Sequence, residues 1–253
     1  MRREPEGLRC YAHIGTGNYH PGNARLYTDL GLFTTQPAFT EDLAELFNNL
    51  TGRSLSRNYR KLLIAPTNMK TRFLEMIQRE IEHRAAGRPA QIVGKMNSLE
   101  DSEIIDALYR ASAAGVGVDL IVRGFSCLRA QVPGLSENIR VVSVIGRFLE
   151  HSRIFYFRNG AAQPVDGEFY IGSADWMGRN LHNRVEVVAP IEDRPLRERL
   201  WNLLKTMLED QRQAWDLGPD DLYVQRRPTD PQTQLGTHAT LMRQLLQLRR
   251  CEA

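Results

Sequence analysis

Long apolar runs are missing from this sequence. No stretch approaches the roughly 18 to 20 residues that span a bilayer, and Met1-Arg2-Arg3-Glu4-Pro5 lacks the apolar core of a secretory leader. The expectation is a soluble cytoplasmic protein, at most peripheral at the inner face of the membrane. Cysteine is scarce: Cys10, Cys127 and Cys251 are odd in number and far apart, which argues against a disulfide framework or a zinc knuckle and for reduced thiols. Charge of one sign is in short supply too. Lysine and arginine number 33 against 30 acids, a net +3, too small an excess for a tail-driven nucleic-acid binder, so any anion site has to be local. What is present is a core-forming share of apolar residues, 42% beside 25% charged in 253 residues, enough for one large domain or two small ones.

Periodicity organises the chain as alternating helices and strands. Leu43, Leu46, Phe47 and Leu50 follow a helical spacing behind Thr40, a candidate N-cap, and Gly52 ends the run. Leu62-Leu63-Ile64-Ala65, closed by Pro66, reads as a buried strand, and Phe73, Met76, Ile77 and Ile81 line one face of the next helix. A strand at Gln91-Ile92-Val93, a helix opened by a capping box at Ser98-Leu99-Glu100-Asp101, and a strand from Val118 to Val122 continue the pattern. Such alternation implies right-handed crossovers and a largely parallel sheet. Arg140 to Ile145, Ile154 to Phe157, Phe169 to Ile171 and Val185 to Ala189 then read as strands, with Asn159-Gly160 in a hairpin connection. A long amphipathic helix follows Pro195, with Trp215 near its end. Gly218-Pro219, Pro228 and Pro231 mark a linker, and Leu241, Leu245 and Leu248 with Arg243, Arg249 and Arg250 a short basic amphipathic tail.

A weak internal repeat carries the chemistry. Gly15-Thr16-Gly17-Asn18 and Gly172-Ser173-Ala174-Asp175 share the form glycine, hydroxyl, small residue, then Asn or Asp; fourteen residues beyond each leading glycine stand Asp29 and Glu186. Glycine lets backbone approach a ligand, the hydroxyl and amides can donate to phosphate oxygens, and the carboxylate can orient a nearby histidine or arginine. Glu186 could equally pair with Arg179 or Arg184 at the surface. Upstream of the second copy, His151 and Arg153 project from one face of a strand. Imidazole can attack phosphorus or protonate a leaving oxygen, and guanidinium grips phosphate oxygens through two parallel hydrogen bonds. Arg123 and Lys95 stand at strand ends, where α/β folds place ligand-binding groups, and with Arg153 and Ser173 they are candidates for phosphate support. His13, His20, His83, His182 and His238 carry no partner pattern.

Histidine, a cation two residues on, then a glycine-serine motif resembles the phospholipase D superfamily, whose active site is built from two such halves. That superfamily usually has lysine where Arg153 stands and asparagine where Asp175 stands. A closer resemblance runs from about residue 8 to 225. Gly15-Thr16-Gly17-Asn18-Tyr19, Ala24-Arg25-Leu26-Tyr27-Thr28-Asp29, Lys95-Met96-Asn97-Ser98-Leu99, Ile121-Val122-Arg123-Gly124, Leu135-Ser136-Glu137-Asn138-Ile139-Arg140, Arg147-Phe148-Leu149-Glu150-His151-Ser152-Arg153 and Ser173-Ala174-Asp175-Trp176-Met177 together look like the C-terminal catalytic region of the first family of polyphosphate kinases.

The resemblance implies an α/β, phospholipase D-like fold with a mixed, largely parallel sheet flanked by helices. It implies a C-terminal remnant of a first half at 1–58, a full second half at 59–217, and a linker with basic tail at 218–253. It further implies reversible transfer of the terminal phosphoryl group of ATP to polyphosphate through a phosphohistidine, with magnesium. The partners it implies are ATP or ADP, inorganic polyphosphate and the enzyme's N-terminal domains, in a homo-oligomer without nucleic acid. Residue by residue, Tyr27 matches a nucleotide contact whose ring would pack on adenine, Arg123 a ligand of the nucleotide phosphates, and His151 a second active-site histidine acting as acid or phosphate ligand. No residue is matched to a metal. In the family the phosphorylated histidine lies in a His-x-Lys-like segment shortly before the strand leading to Gly-Thr-Gly-Asn, and the twelve residues before His13 contain no histidine. The chain alone is therefore expected neither to autophosphorylate nor to make polyphosphate. Two other readings stay open, a phospholipase D-type phosphodiesterase assembled from two copies and a non-catalytic phosphate-binding module.

Overall fold

The computed structural model describes residues 1–54, 58–230 and 235–251, with side chains up to 247. A short hairpin, β1 (Arg2–Glu4) and β2 (Gly7–Arg9), precedes β3 (Ala12–Gly15), β4 (Tyr27–Thr28) and β5 (Gly31–Thr34). Helix α1 (Pro37–Leu50) leads into β6 (Leu63–Ala65), α2 (Met69–Ala85), β7 (Gln91–Met96), α3 (Ser102–Ala113) and β8 (Gly117–Val122). Next come β9 (Ile139–Val144), β10 (Leu149–Glu150), β11 (Arg153–Phe157), β12 (Glu168–Gly172) and β13 (Glu186–Ile191). The chain closes with α4 (Arg194–Leu208), β14 (Ala214–Leu217), β15 (Tyr223–Gln225) and α5 (Thr237–Cys251). Pro231, Cys251 beyond its backbone, and the side chains of Leu248, Arg249 and Arg250 lie outside the described residues. Cys10 and Cys127 are free thiols.

Local chemistry moves three boundaries from their sequence positions. Helix α1 starts at Pro37, whose fixed φ and missing N–H suit the first turn, so Thr40 lies inside the helix and its hydroxyl bonds back to the Gln36 and Pro37 carbonyls. Helix α3 is capped by Asp101, which accepts from the Ile104 amide at 3.1 Å; the residues after Ser98 instead spend their amides on the Phe125 and Trp176 carbonyls. Helix α4 ends at Leu208, and Asp210 turns the chain by accepting from the Arg212 and Gln213 amides, which puts Trp215 in a strand.

Nine strands form one sheet in the order β15-β14-β9-β8-β7-β11-β12-β13-β6. The fold is the expected mixed α/β sheet flanked by helices, with a different balance of directions. Within this sheet only β7 with β8 and β8 with β9 pair in parallel among the described residues. The strands β6, β7 and β8 do run the same way, but β11, β12 and β13 fold back as antiparallel neighbours and slot between β6 and β7. Alternation along β11 sends Phe155 and Phe157 into a core under α2 and α3, and Ile154 and Tyr156 into a second core under α4. In the first core the Phe155 and Trp176 rings stack at 5.0 Å, with Phe73 of α2 at 4.7 Å from Phe155.

The first repeat copy is a two-stranded sheet, β3 with β5, carrying α1. Ile14, Phe39 and Leu46 seat it against Leu62, Ile64 and Ala189 at the β6–β13 edge. The two copies match in register throughout. Gly15 opposes Gly31 as Gly172 opposes Val188, and α1 begins at Pro37 as α4 begins at Arg194; every counterpart lies 157 residues on (172 less 15, 188 less 31, 194 less 37).

Candidate active site

Strands β4 and β10 pair in parallel, Tyr27 against Leu149 and Thr28 against Glu150. That ladder delivers the first copy to the start of β11. The Thr28 carbonyl accepts from the amides of His151 and Ser152 at 3.2 and 3.0 Å, and the Tyr27 ring lies 4.9 Å from the His151 ring. Asp29 then places both carboxylate oxygens at His151 Nδ1, at 2.9 and 3.0 Å. A carboxylate can only accept, so Nδ1 carries the hydrogen and Nε2 is the atom presented for chemistry. Asp29 is itself fixed by the buried Thr16, whose hydroxyl donates to Oδ1 at 2.7 Å and accepts from the Leu30 amide at 2.9 Å. Gly17 makes this packing possible: a Cβ there would stand 2.1 Å from Asp29 Oδ2.

Arg153 ties the two copies together. Its Nη1 donates to the Thr16 carbonyl at 2.8 Å and the His151 carbonyl at 3.1 Å, while Nε and Nη2 each reach an Asp175 oxygen at 3.2 Å. Both Nη1 hydrogens are thereby committed, so its 3.1 Å approach to His151 Nε2 sets positive charge beside that nitrogen. Asp175 also accepts from the Asn97 amide at 2.7 Å, and Asn97 Oδ1 takes Nε and Nη2 of Arg123, both at 3.2 Å. Of five guanidinium N–H groups Arg123 keeps three free, and it has no ion-pair partner among the described residues. It is half-buried at the C-terminal end of β8, an unneutralised cation on the same network as His151.

Two sequence candidates lie beside the network rather than open to it. Lys95 is 2% exposed, and its ammonium donates to the Ser152 carbonyl and hydroxyl, both at 2.9 Å, and pairs with Glu150 at 3.2 Å. Burial pushes the lysine pKa down against the pull of Glu150. Burial alone would raise Glu150, but the Lys95 charge and hydrogen bonds from His238, Thr28 and Lys95 outweigh it and hold the carboxyl at about 2. His238, at the start of α5, completes this underlayer 2.9 Å from Glu150. Ser173 is the counterpart of Thr16: its hydroxyl donates to Glu186 and accepts from the Val187 amide at 3.2 Å. Asn180 holds the other Glu186 oxygen at 2.6 Å, so the partners of Glu186 are Ser173 and Asn180, not Arg179 or Arg184. Among the described residues no cluster of three histidine, cysteine or acidic side chains could hold a metal.

Residues 62–236 match the family model for polyphosphate kinase C-terminal domain 2, and residues 1–56 that for polyphosphate kinase C-terminal domain 1. The chain belongs to the polyphosphate kinase family. The polyphosphate kinase of Thermosynechococcus vestitus is 54% identical over 97% of this chain and 33% of its own length, and that of Pseudomonas aeruginosa 52% over 97% and 35%. The crystal structure of polyphosphate kinase from Porphyromonas gingivalis matches with a TM-score of 0.90 at 36% identity, over 96% of this chain and 37% of that one. The chain thus spans about a third of the length of the polyphosphate kinases it matches.

In this member of the polyphosphate kinase family, the two departures from the phospholipase D pattern explain one another. Arginine and aspartate form a bidentate ion pair where lysine and asparagine would stand. Sequence reasoning did not single out Asn97, Asp175, Glu150 or His238 as working parts. Asn97 and Asp175 sit inside segments that carry the family resemblance, which was the available signal. Nothing local marks His238, because its partner is 88 residues away.

Proposed function

We propose that this chain supplies the C-terminal part of a polyphosphate kinase that moves the terminal phosphoryl group of ATP reversibly to polyphosphate. The transfer would pass through a phosphohistidine on a segment outside residues 1–253. One observation carries the reading: His151 of the second copy is gripped by Asp29 of the first, while Glu186, 157 residues on and held by the matching hydroxyl of Ser173 and by Asn180, has no histidine partner among the described residues. Two copies that lend carboxylates crosswise call for a second imidazole, and that imidazole is the proposed nucleophile.

The chain's own residues divide the remaining work. Arg123 offers three free N–H groups to the phosphates of ATP, and the Tyr27 ring and hydroxyl suit the base and sugar. His151 has its tautomer set by Asp29, so a protonated Nε2 would donate to a phosphoryl or bridging oxygen, with Arg153 adding positive charge on the same side. Among the described residues no group of three acidic, histidine or cysteine side chains could hold magnesium, and Asp29 and Asp175 are each committed to fixed protein donors. A phosphodiesterase is disfavoured, since Asp175 neutralises the cation that would hold the diester.

The test joins these 253 residues to the upstream two-thirds of the Pseudomonas aeruginosa polyphosphate kinase and supplies ATP labelled in its terminal phosphate. The expected result is an acid-labile phosphohistidine in the joined enzyme, none in the 253-residue chain, and turnover reduced at least 100-fold by His151→Ala. Hydrolysis of bis(4-nitrophenyl) phosphate by the chain without ATP would overturn the reading.

A further inference from the structure

Strand β10 runs directly into His151, and Glu150, its last residue, shares a peptide unit with that histidine. Glu150 is 3% exposed, and its carboxylate is held on three sides: by Lys95 at 3.2 Å, by the Thr28 hydroxyl, and by His238 Nε2 at 2.9 Å. Lys95 and Thr28 arrive on β7 and β4, strands that the site already uses. His238 comes from α5, 88 residues along the chain, and is 4% exposed.

Both ring nitrogens of His238 are committed. Nδ1 faces two donors, the Phe148 amide and the Gln213 side-chain amide, each at 3.3 Å, so it accepts. Nε2 therefore carries the hydrogen and donates it to the Glu150 carboxylate, a charge-assisted bond. One imidazole thus spans Phe148 and Glu150, two positions of the segment that leads into His151, and stands edge-on to the Phe148 ring at 5.4 Å.

The start of α5 is built to hold this ring in place. Asp210 accepts from the Thr237 amide and hydroxyl, both at 2.6 Å, and Gln213 Oε1 accepts from the His238 amide at 3.1 Å. The Gln213 side chain fills the space between two glycines: a Cβ would stand 1.7 Å from it at Gly146 and 2.3 Å at Gly236. Its carbonyl takes the Ile145 amide at 3.0 Å. Thr237 and His238 are buried, whereas Leu245 and Leu246 farther along the helix are exposed, so the close fit belongs to the first turn.

We propose that His238 is a positioning residue for His151: by gripping Glu150 it fixes the backbone from which the active-site imidazole projects. This rests on the reading of His151 given above and extends it to α5. Asp29 and Arg153 orient the ring of His151; His238 and Glu150 set where that ring starts. His238 makes and breaks no covalent bond. A catalytic group displaced by about 1 Å can lose up to about a hundredfold in rate, so a partial loosening is worth about tenfold.

The experiment uses the joined enzyme described above with His238→Asn, His238→Gln and Glu150→Asp. It reads kcat for polyphosphate formation and KM for ATP at a temperature where circular dichroism shows each variant folded. Asparagine places its amide near Nδ1 and cannot reach Glu150, whereas glutamine places an N–H near Nε2 and can. The expected result is that His238→Asn lowers kcat about tenfold, with KM for ATP changed less than about threefold because Arg123 is held separately by Asn97. His238→Gln is expected to return to within about threefold of the parent. Glu150→Asp draws back the other end of the link by one methylene and should slow the reaction about as much as His238→Asn; it decides the question if His238→Asn does not fold. Equal losses in the asparagine and glutamine variants, or a lower melting temperature with kcat unchanged, would overturn the proposal and make the contact structural. If His151→Ala slows turnover and the His238 and Glu150 variants do not, the positioning role falls while the reading of His151 stands. If His151→Ala turns over like the parent, both fall.

Discussion

Arg153→Lys and Asp175→Asn, made singly and together, test whether this site stands on a coupled exchange of both residues. Arg153 is 8% exposed and Asp175 2%, so in this dry environment Asp175→Asn strips the guanidinium of its counter-charge, and Arg153→Lys leaves the Asp175 carboxylate without its bidentate partner. Breaking a buried pair costs about 3 to 5 kcal/mol. Lysine keeps the charge but cannot reach Thr16 and Asp175 together, and asparagine keeps one oxygen for the Asn97 amide. Each single variant is therefore expected near the lower end, about 3 kcal/mol. Independent effects would sum to about 6 kcal/mol, but both singles lose the same contact, so the double variant should lie near 4, a coupling of about 2 kcal/mol. Urea unfolding followed by circular dichroism at fixed ionic strength gives the three differences from midpoints at constant slope. A coupling below about 0.5 kcal/mol would refute the reasoning, because the two residues would then act independently.

Glu150 gives a signed pH dependence: its carboxyl falls from 4.5 to about 2 on folding, so its stabilisation is fully present above about 4.5 and is lost as pH drops toward 2. Urea unfolding at pH 6 and pH 3 should show Glu150→Gln destabilising by about 3 kcal/mol at the higher pH and much less at the lower; equal effects at both would contradict it. Phe73→Ala empties a fully buried site against Phe155 and Trp176 and should cost about 3 to 5 kcal/mol in thermal unfolding. Arg123→Gln should raise the KM of the joined enzyme for ATP about tenfold or more, with partial return in Arg123→Lys, whereas a change confined to melting temperature would make Arg123 structural.

Legibility in the sequence tracked the range of the interactions. The helical faces of α2 and α4 and the strand end at Arg123 are written within a few residues, and the structure contains them as expected, whereas the strand from Gln91 runs on through Lys95 to Met96. The shared spacing from glycine to carboxylate was visible too, because Thr16 and Asp29 are bonded across only 13 residues. The placement of β11 to β13 between β6 and β7 was not visible, since strand order is set by contacts between segments far apart in the chain. Lys95 shows the same limit at one residue: a lysine at a strand end looks free until Glu150, 55 positions away, is folded against it. Thr40 and Ser98 failed as caps for the opposite reason, because Pro37 and Asp101, also local, compete better for those positions.

The division of labour between the copies sets where the molecule can be cut. The nine-stranded sheet begins at β6, and a protein engineer seeking a compact module would trim to that point. Such a module would keep His151 and Arg153 yet shed Asp29 and Tyr27, which reach the histidine from 122 and 124 positions away along the chain, and Thr16, whose carbonyl reaches Arg153 from 137 positions away. It would fold around an imidazole with no fixed tautomer and a guanidinium missing one acceptor. The smallest portable unit is therefore fixed by the chemistry of the site and extends upstream to β3, well before the edge of the sheet that holds most of it.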